Sequence, residues 1–154
     1  MSRTIWIGCL STLLVMTSSL MGQQQNTAML RLNQPDSPAI LVRTLHGKDF
    51  LQSATLRNVS TVPIIGYRIG WVEVYREGKD KIGLGYRVDV PEGIDPAKMT
   101  EVAAQGVSDC SYWEGATAVV FFVAEARTAT GAAWKAELDK VEADARKMAE
   151  TTFR

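Results

Sequence analysis

This sequence predicts a mainly β chain, an antiparallel Greek-key β-sandwich finished by one short C-terminal α-helix, and three observations carry that prediction. Short segments of alternating apolar and polar residues recur from Pro38 onward, punctuated by turn residues. No segment of helical period separates them, which argues against a parallel sheet built with crossover helices. At Asp139 the period changes from two to about 3.6, the signature of a helix.

The elements follow in order. Ala39 to Leu45 (AILVRTL) is β-branched and apolar, and Phe50 to Val59 places Leu51, Ala54 and Leu56 in a second strand-like run. Ile64 to Tyr75 (IIGYRIGWVEVY) alternates with Ile65, Tyr67, Ile69, Trp71 and Glu73 on one face and Ile64, Arg68, Val72 and Val74 on the other. Such a strand is central at one end and solvated at the other. Glu77 to Asp80 reads as a hairpin connection into Ile82 to Val90, where Leu84, Tyr86, Val88 and Val90 alternate. Gly83 and Gly85 in that strand suit a bulge or an edge position.

Pro91 to Pro96 is a turn-rich crossing and Met99 to Ala104 a short strand. The loop Gln105 to Gly115 then leads into Ala116 to Ala126 (ATAVVFFVAEA), the most apolar strand of the chain. Alternation puts one of Phe121 and Phe122 between the sheets and leaves the other on the less demanding face. Thr128 to Gly131 turns the chain back into Ala132 to Leu138, with Trp134 inward. From Asp139 to Thr151 the apolar Val141, Ala145 and Met148 recur at helical spacing, and Asp139 with Glu142 matches a capping box.

The 154 residues suffice for one domain. A basic start at Arg3, an uncharged run from Ile5 to Met16 and a small-residue exit match a secretory signal peptide over residues 1–22. Retention as a membrane anchor is the alternative, since Ile5 to Met21 stands at the short limit of a spanning helix; lipidation at Cys9 is a third reading. A flexible lead-in occupies 23–37, the sandwich 38–138 and the helix 139–154. Basic and acidic residues balance at 17 each, so nothing marks the chain for nucleic acid or anionic lipid. With Cys9 removed, Cys110 is a lone thiol, which reads as a partly buried, inert cysteine, with pairing between chains or to a small thiol as the alternative.

Few residues carry chemistry. His46 is the only histidine and has neither a second histidine nor a cysteine pair to join in a metal site or catalytic set, so no metal, no cofactor and no catalytic residue are expected. Asp89, Glu92 and Asp95 make a paired-acid site only if the fold gathers them. Asn58-Val-Ser60 is a glycosylation sequon, but an asparagine where a strand ends more often bonds the local backbone. Among the aromatics, Trp71, Trp134 and Tyr67 read as core. Tyr112 and Trp113 stand in a loop beside Asp109 and Glu114, where they serve as recognition residues if exposed or as a plug closing one end of the sandwich if not.

Ala54-Thr-Leu-Arg-Asn-Val-Ser60, followed by Val62-Pro-Ile-Ile-Gly-Tyr67 and later by Ala118-Val-Val-Phe-Phe-Val123 and Trp134, resembles secreted bacterial immunoglobulin-like or fibronectin-like domains of unknown function. The resemblance spans Pro38 to Leu138 and implies an immunoglobulin-like sandwich with no catalytic residue to carry over. The expectation is therefore an extracytoplasmic, non-enzymatic module, periplasmic or secreted, that binds an envelope protein or a surface polysaccharide and no nucleic acid. A small carbohydrate-active or hydrolytic enzyme using loop carboxylates is the alternative.

Overall fold

The computed structural model describes residues 27–46, 51–103, 113 and 115–153. The expected leader, the Cys9 alternative, Tyr112 and Cys110 lie outside them. Two sheets and one helix stack in three layers. The larger sheet runs β1 (Ala28–Leu32), β7 (Ala116–Thr128), β4 (Ile64–Tyr75), β5 (Lys81–Ile94), with β8 (Ala133–Lys135) pairing further along β7; the smaller runs β2 (Ala39–His46), β3 (Leu51–Asn58), β6 (Met99–Ala103). The helix α1 (Leu138–Thr152) covers the outer face of the larger sheet.

One core lies between the sheets. Leu41, Leu51, Ala54, Leu56 and Val102 of the smaller sheet meet Tyr67, Ile69, Trp71, Val119, Phe121 and Val123 of the larger. A second forms under the helix, where Val141, Ala145 and Ala149 pack on Val72, Val74, Val120, Phe122 and Ala124. Both faces of β7 are thus buried, and Phe121 and Phe122 are each 0 % exposed. This corrects the expectation that one phenylalanine sits on a less demanding face: alternation sends them to opposite faces, but the helix seals the second.

Four further readings are corrected. Residues 28–32 are not a flexible lead-in but a strand, paired parallel to β7 from Ala28↔Ala118 to Leu32↔Phe122, so the larger sheet is not wholly antiparallel. Its neighbour supplies the hydrogen bonds, and Leu30 and Leu32 join the helix-side core. β5 does not stop at Val90 but runs through Pro91 to Ile94, which pairs with Ile64. It is an edge strand, where a missing N–H costs little. Ile64 joins the inner core rather than the face of Val72, because the register shifts between Ile64 and Gly66. The capping box does not form: the N-cap is Glu137, without a side-chain bond, and Asp139 is already inside the first turn. The chain enters the helix directly from β8, where the Ala136 N–H donates to the Ala124 carbonyl, so the sheet sets the start.

Two glycines serve large rings. Trp71 lies opposite Gly83, and a Cβ there would stand 1.8 Å from the indole; Phe122 lies opposite Gly70, where a Cβ would stand 2.6 Å from the ring. A strand residue that reads as a weakness is the space for a core side chain. Gly83→Ala is expected to cost about 1 to 3 kcal/mol by overpacking, measured by chemical denaturation; a variant as stable as the parent would show that the indole moves freely aside.

The charged run Arg76 to Lys81, at the connection from β4 to β5, is exposed except at Asp80. Asp80 is 7 % exposed and accepts the Tyr75 N–H and two Arg146 guanidinium bonds at 2.6 and 2.9 Å. That pair ties the helix to the β4–β5 hairpin.

Candidate functional site

Trp113 is 3 % exposed and meets the Phe121 ring edge-on, with centroids 5.6 Å apart and planes at 69°. Of the two readings its loop allowed, the plug is the one this geometry fits. Its indole N–H is buried without a hydrogen-bond partner among the described residues, so the ring contact with Phe121, and not a polar bond, seats it. Asp89, Glu92 and Asp95 are exposed and occupy successive stretches of β5 and the turn beyond it. Asp89 bonds Arg127. Among the described residues no three His, Cys, Asp or Glu side chains gather as a metal group would, and His46 stands exposed at the end of β2.

Asn58 is 0 % exposed, and every polar atom of its side chain is used. Its amide donates to the Val62 and Ile94 carbonyls at 2.8 and 2.7 Å, while its oxygen accepts the Ser60 N–H and hydroxyl at 2.8 and 2.7 Å. The local reading of the sequon therefore holds in the folded chain.

Glu73 is a buried carboxylate with two neutral donors. It accepts the Trp71 indole N–H at 3.3 Å and the Tyr75 hydroxyl at 2.5 Å. Burial, reinforced by that carboxylate, pushes the Tyr75 hydroxyl up to about 12, so it keeps the proton it donates.

One seat lies where the helix does not reach. Beyond it, the outer face of the larger sheet carries rows set by strand register: Arg87, Arg68, Glu125 and Lys135 in one, Asp89, Gly66, Arg127 and Ala133 in the next. In the second row the Arg127 guanidinium lies across Gly66, its Nη2 3.1 Å from where a Cβ would stand, and Ala133 is short. A concavity of about 210 Å³ results, lined also by Tyr67, Val88, Ala126 and Trp134. It is smaller than the roughly 300 to 1,000 Å³ of pockets for drug-sized ligands.

Its charges form a network. Arg87 grips Glu125 with two bonds of 2.6 and 2.9 Å, Arg68 adds a third at 3.3 Å while donating to the Gly85 carbonyl, and Arg127 pairs with Asp89. Lys135 has no ion-pair partner among the described residues. The hydrogen bond from Arg87, aided by Arg68, holds the Glu125 carboxyl below the usual carboxylate range against its partial burial. A carboxyl with a lowered folded-state pKa adds stability above its unfolded value, about 4.3, and loses it as pH falls through the folded value. Glu125→Gln should therefore lower the melting temperature modestly at neutral pH, where the paired carboxylate stabilises the fold, and the two profiles should converge as pH falls below about 4.3; profiles that stay parallel down the acid limb would remove Glu125 as a cause.

Sequence reasoning missed this seat, although a signal was present. Arg87-x-Asp89 and Glu125-x-Arg127 are complementary i, i+2 pairs on two strands. They meet only because β4 carries a glycine and an arginine between them.

A second concavity, of about 220 Å³, lies at the far end of the helix among Val74, Tyr75, Thr117, Ala149 and Phe153. Arg146 on its rim is committed to Asp80. No helix among the described residues is long and apolar enough to cross a membrane. Compared with known proteins, the chain matches no family model, no curated protein and no solved structure.

Proposed function

We propose that this chain is an exported, non-enzymatic module that binds a protein or polymer of the cell envelope, seated on the outer face of its larger sheet. The concavity over Gly66 carries the reading. It is built on paired strands, and its two carboxylates are held by arginines. The arginines beside Glu125 hold it in its charged form, a poor proton donor near neutral pH, which favours binding over the hydrolytic alternative. The leader-like N-terminus supports export, and two facing, mainly antiparallel sheets support an immunoglobulin-like kinship.

Cell fractionation with N-terminal sequencing tests export: the mature chain should begin near Gln23 and lie outside the cytoplasm. Retention of Met1 in the cytoplasm would overturn it. Retention of the purified protein on washed envelope material, lost when Lys135 and Arg127 are both changed to glutamate, tests the seat.

A further inference from the structure

We propose that the free edge of β5 is a homodimer interface, on which a second copy of this chain adds its own β5 antiparallel. β5 ends the larger sheet: β4 pairs one side of it, and no strand among the described residues pairs the other. An unpaired edge presents main-chain N–H and C=O groups that a further strand can take. Much of this edge is interrupted. Its pairing with β4 breaks register between Arg68 and Gly70 and again between Ile64 and Gly66, and Pro91 offers no N–H. Between those breaks Arg87, Val88 and Asp89 lie in unbroken register opposite Arg68, Tyr67 and Gly66, with Tyr86 and Val90 on either side.

The order of charges selects a second copy as the occupant. In an antiparallel pair centred on Val88, Arg87 falls opposite the partner's Asp89, Asp89 opposite the partner's Arg87, and Val88 opposite the partner's Val88. Directly opposed residues bring their Cβ atoms to about 4.5 to 5.5 Å, close enough for ion pairs on the outer face. Neighbouring registers are penalised: centring the pair on Arg87 opposes two arginines, and centring it on Asp89 opposes two aspartates. Both charges have room for a second partner. The Arg87 side chain is 66 % exposed and that of Asp89 75 %, although Glu125 and Arg127 already bond them. Tyr86, at 61 %, is the most exposed of the described large apolar side chains. The same register sets it opposite the partner's Val90, an aromatic against a β-branched residue. Arg87 and Asp89 share the outer face, so the two-fold axis stands normal to the sheet, and both concavities over Gly66 open on one side of an extended sheet.

Sedimentation equilibrium of the purified protein from about 1 µM to about 1 mM, with amide hydrogen exchange measured at both ends of that range, tests the proposal. Reversible dimerisation is expected, with exchange slowing at alternate amides of residues 86–90 as concentration rises. Arg87→Asp and Asp89→Arg each set like charges opposite one another twice, and each should raise the dissociation constant about tenfold or more. Melting temperatures report that the variants fold. Mixed in equal amounts, the first chain presents two aspartates where the second presents two arginines, so the mixture should dimerise although neither chain does so alone. A parent chain that stays monomeric throughout, or a dimer whose new protection lies at another edge, overturns the proposal. Folded variants that self-associate as the parent does, or that fail to associate when mixed, overturn it as well. Should a variant not fold, the exchange pattern of the parent decides alone. A monomer that is still retained on envelope material would sink the dimer and leave the proposed function standing.

Discussion

Replacing either Phe121 or Phe122 with alanine is expected to cost about 3 to 5 kcal/mol, a large part of the roughly 5 to 15 kcal/mol that holds a domain of this size. The two losses should be alike although the residues face opposite ways. Phe121 fills the space between the sheets, with Trp113 edge-on to it, and Phe122 fills the space between sheet and helix, its ring over Gly70. Urea denaturation of the single variants measures both. A Phe122→Ala loss well under 1 kcal/mol, beside a full loss at Phe121, would show that the helix does not seal the outer face. Ending the chain after Glu137 should expose that face and abolish most of the Phe122 effect, leaving the Phe121 effect in place if the sheets still fold.

Asn58→Ala is the second large loss expected, on the order of 3 kcal/mol or more, because each buried polar group left without a partner costs about 1 to 3 kcal/mol. The substitution removes the Asn58 bonds from the Ile94 carbonyl and the Ser60 N–H together, and leaves the Val62 carbonyl to the Ser60 hydroxyl alone. Asn58 also holds the corner through its backbone, donating to the Lys98 carbonyl and accepting the Ala97 N–H, both at 3.0 Å. Those main-chain bonds survive in Asn58→Ala, so it is loss of the side-chain bonds to Val62, Ile94 and Ser60 that should loosen the corner, visible as lost amide protection at Ile64 and Ile94. Ser60→Ala destroys the same sequon but keeps both Asn58 donors in use, and should cost only about 1 kcal/mol. Equal losses in the two variants would contradict the assignment of the corner to the Asn58 amide.

The strands that sequence reasoning located well are those whose own residues alternate strongly. Ile64 to Tyr75 matches β4 residue for residue, and Ala39 to Leu45 matches β2 to within one residue. Burial selects for alternation directly, so such segments announce themselves. β1 has the same alternation over only five residues, inside a stretch dominated by polar neighbours, and its pairing partner lies some ninety residues away. The continuation of β5 through Pro91 likewise depended on its being an edge, which is a property of the sheet and not of the segment.

The site was harder to see for the same reason. Tyr112 and Trp113 drew notice because large aromatics in a polar loop are locally unusual, yet exposure is decided by what else reaches them, and Phe121 reaches Trp113. The residues around the concavity are individually ordinary charges on solvent-facing strand positions.

By itself the sequence determined the mainly β character, the long central strand, the apolar β7, the presence of a C-terminal helix and the local role of an asparagine at a strand end. These follow from periodicity and short-range hydrogen bonding, which act within a few residues. Tertiary structure alone decided that the helix covers the face holding Phe122, that β1 runs parallel beside β7, that Gly83 accommodates Trp71, and that two oppositely charged pairs from distant strands enclose one small seat. Each of these depends on which elements lie next to one another, and that is settled by packing and register over the whole chain.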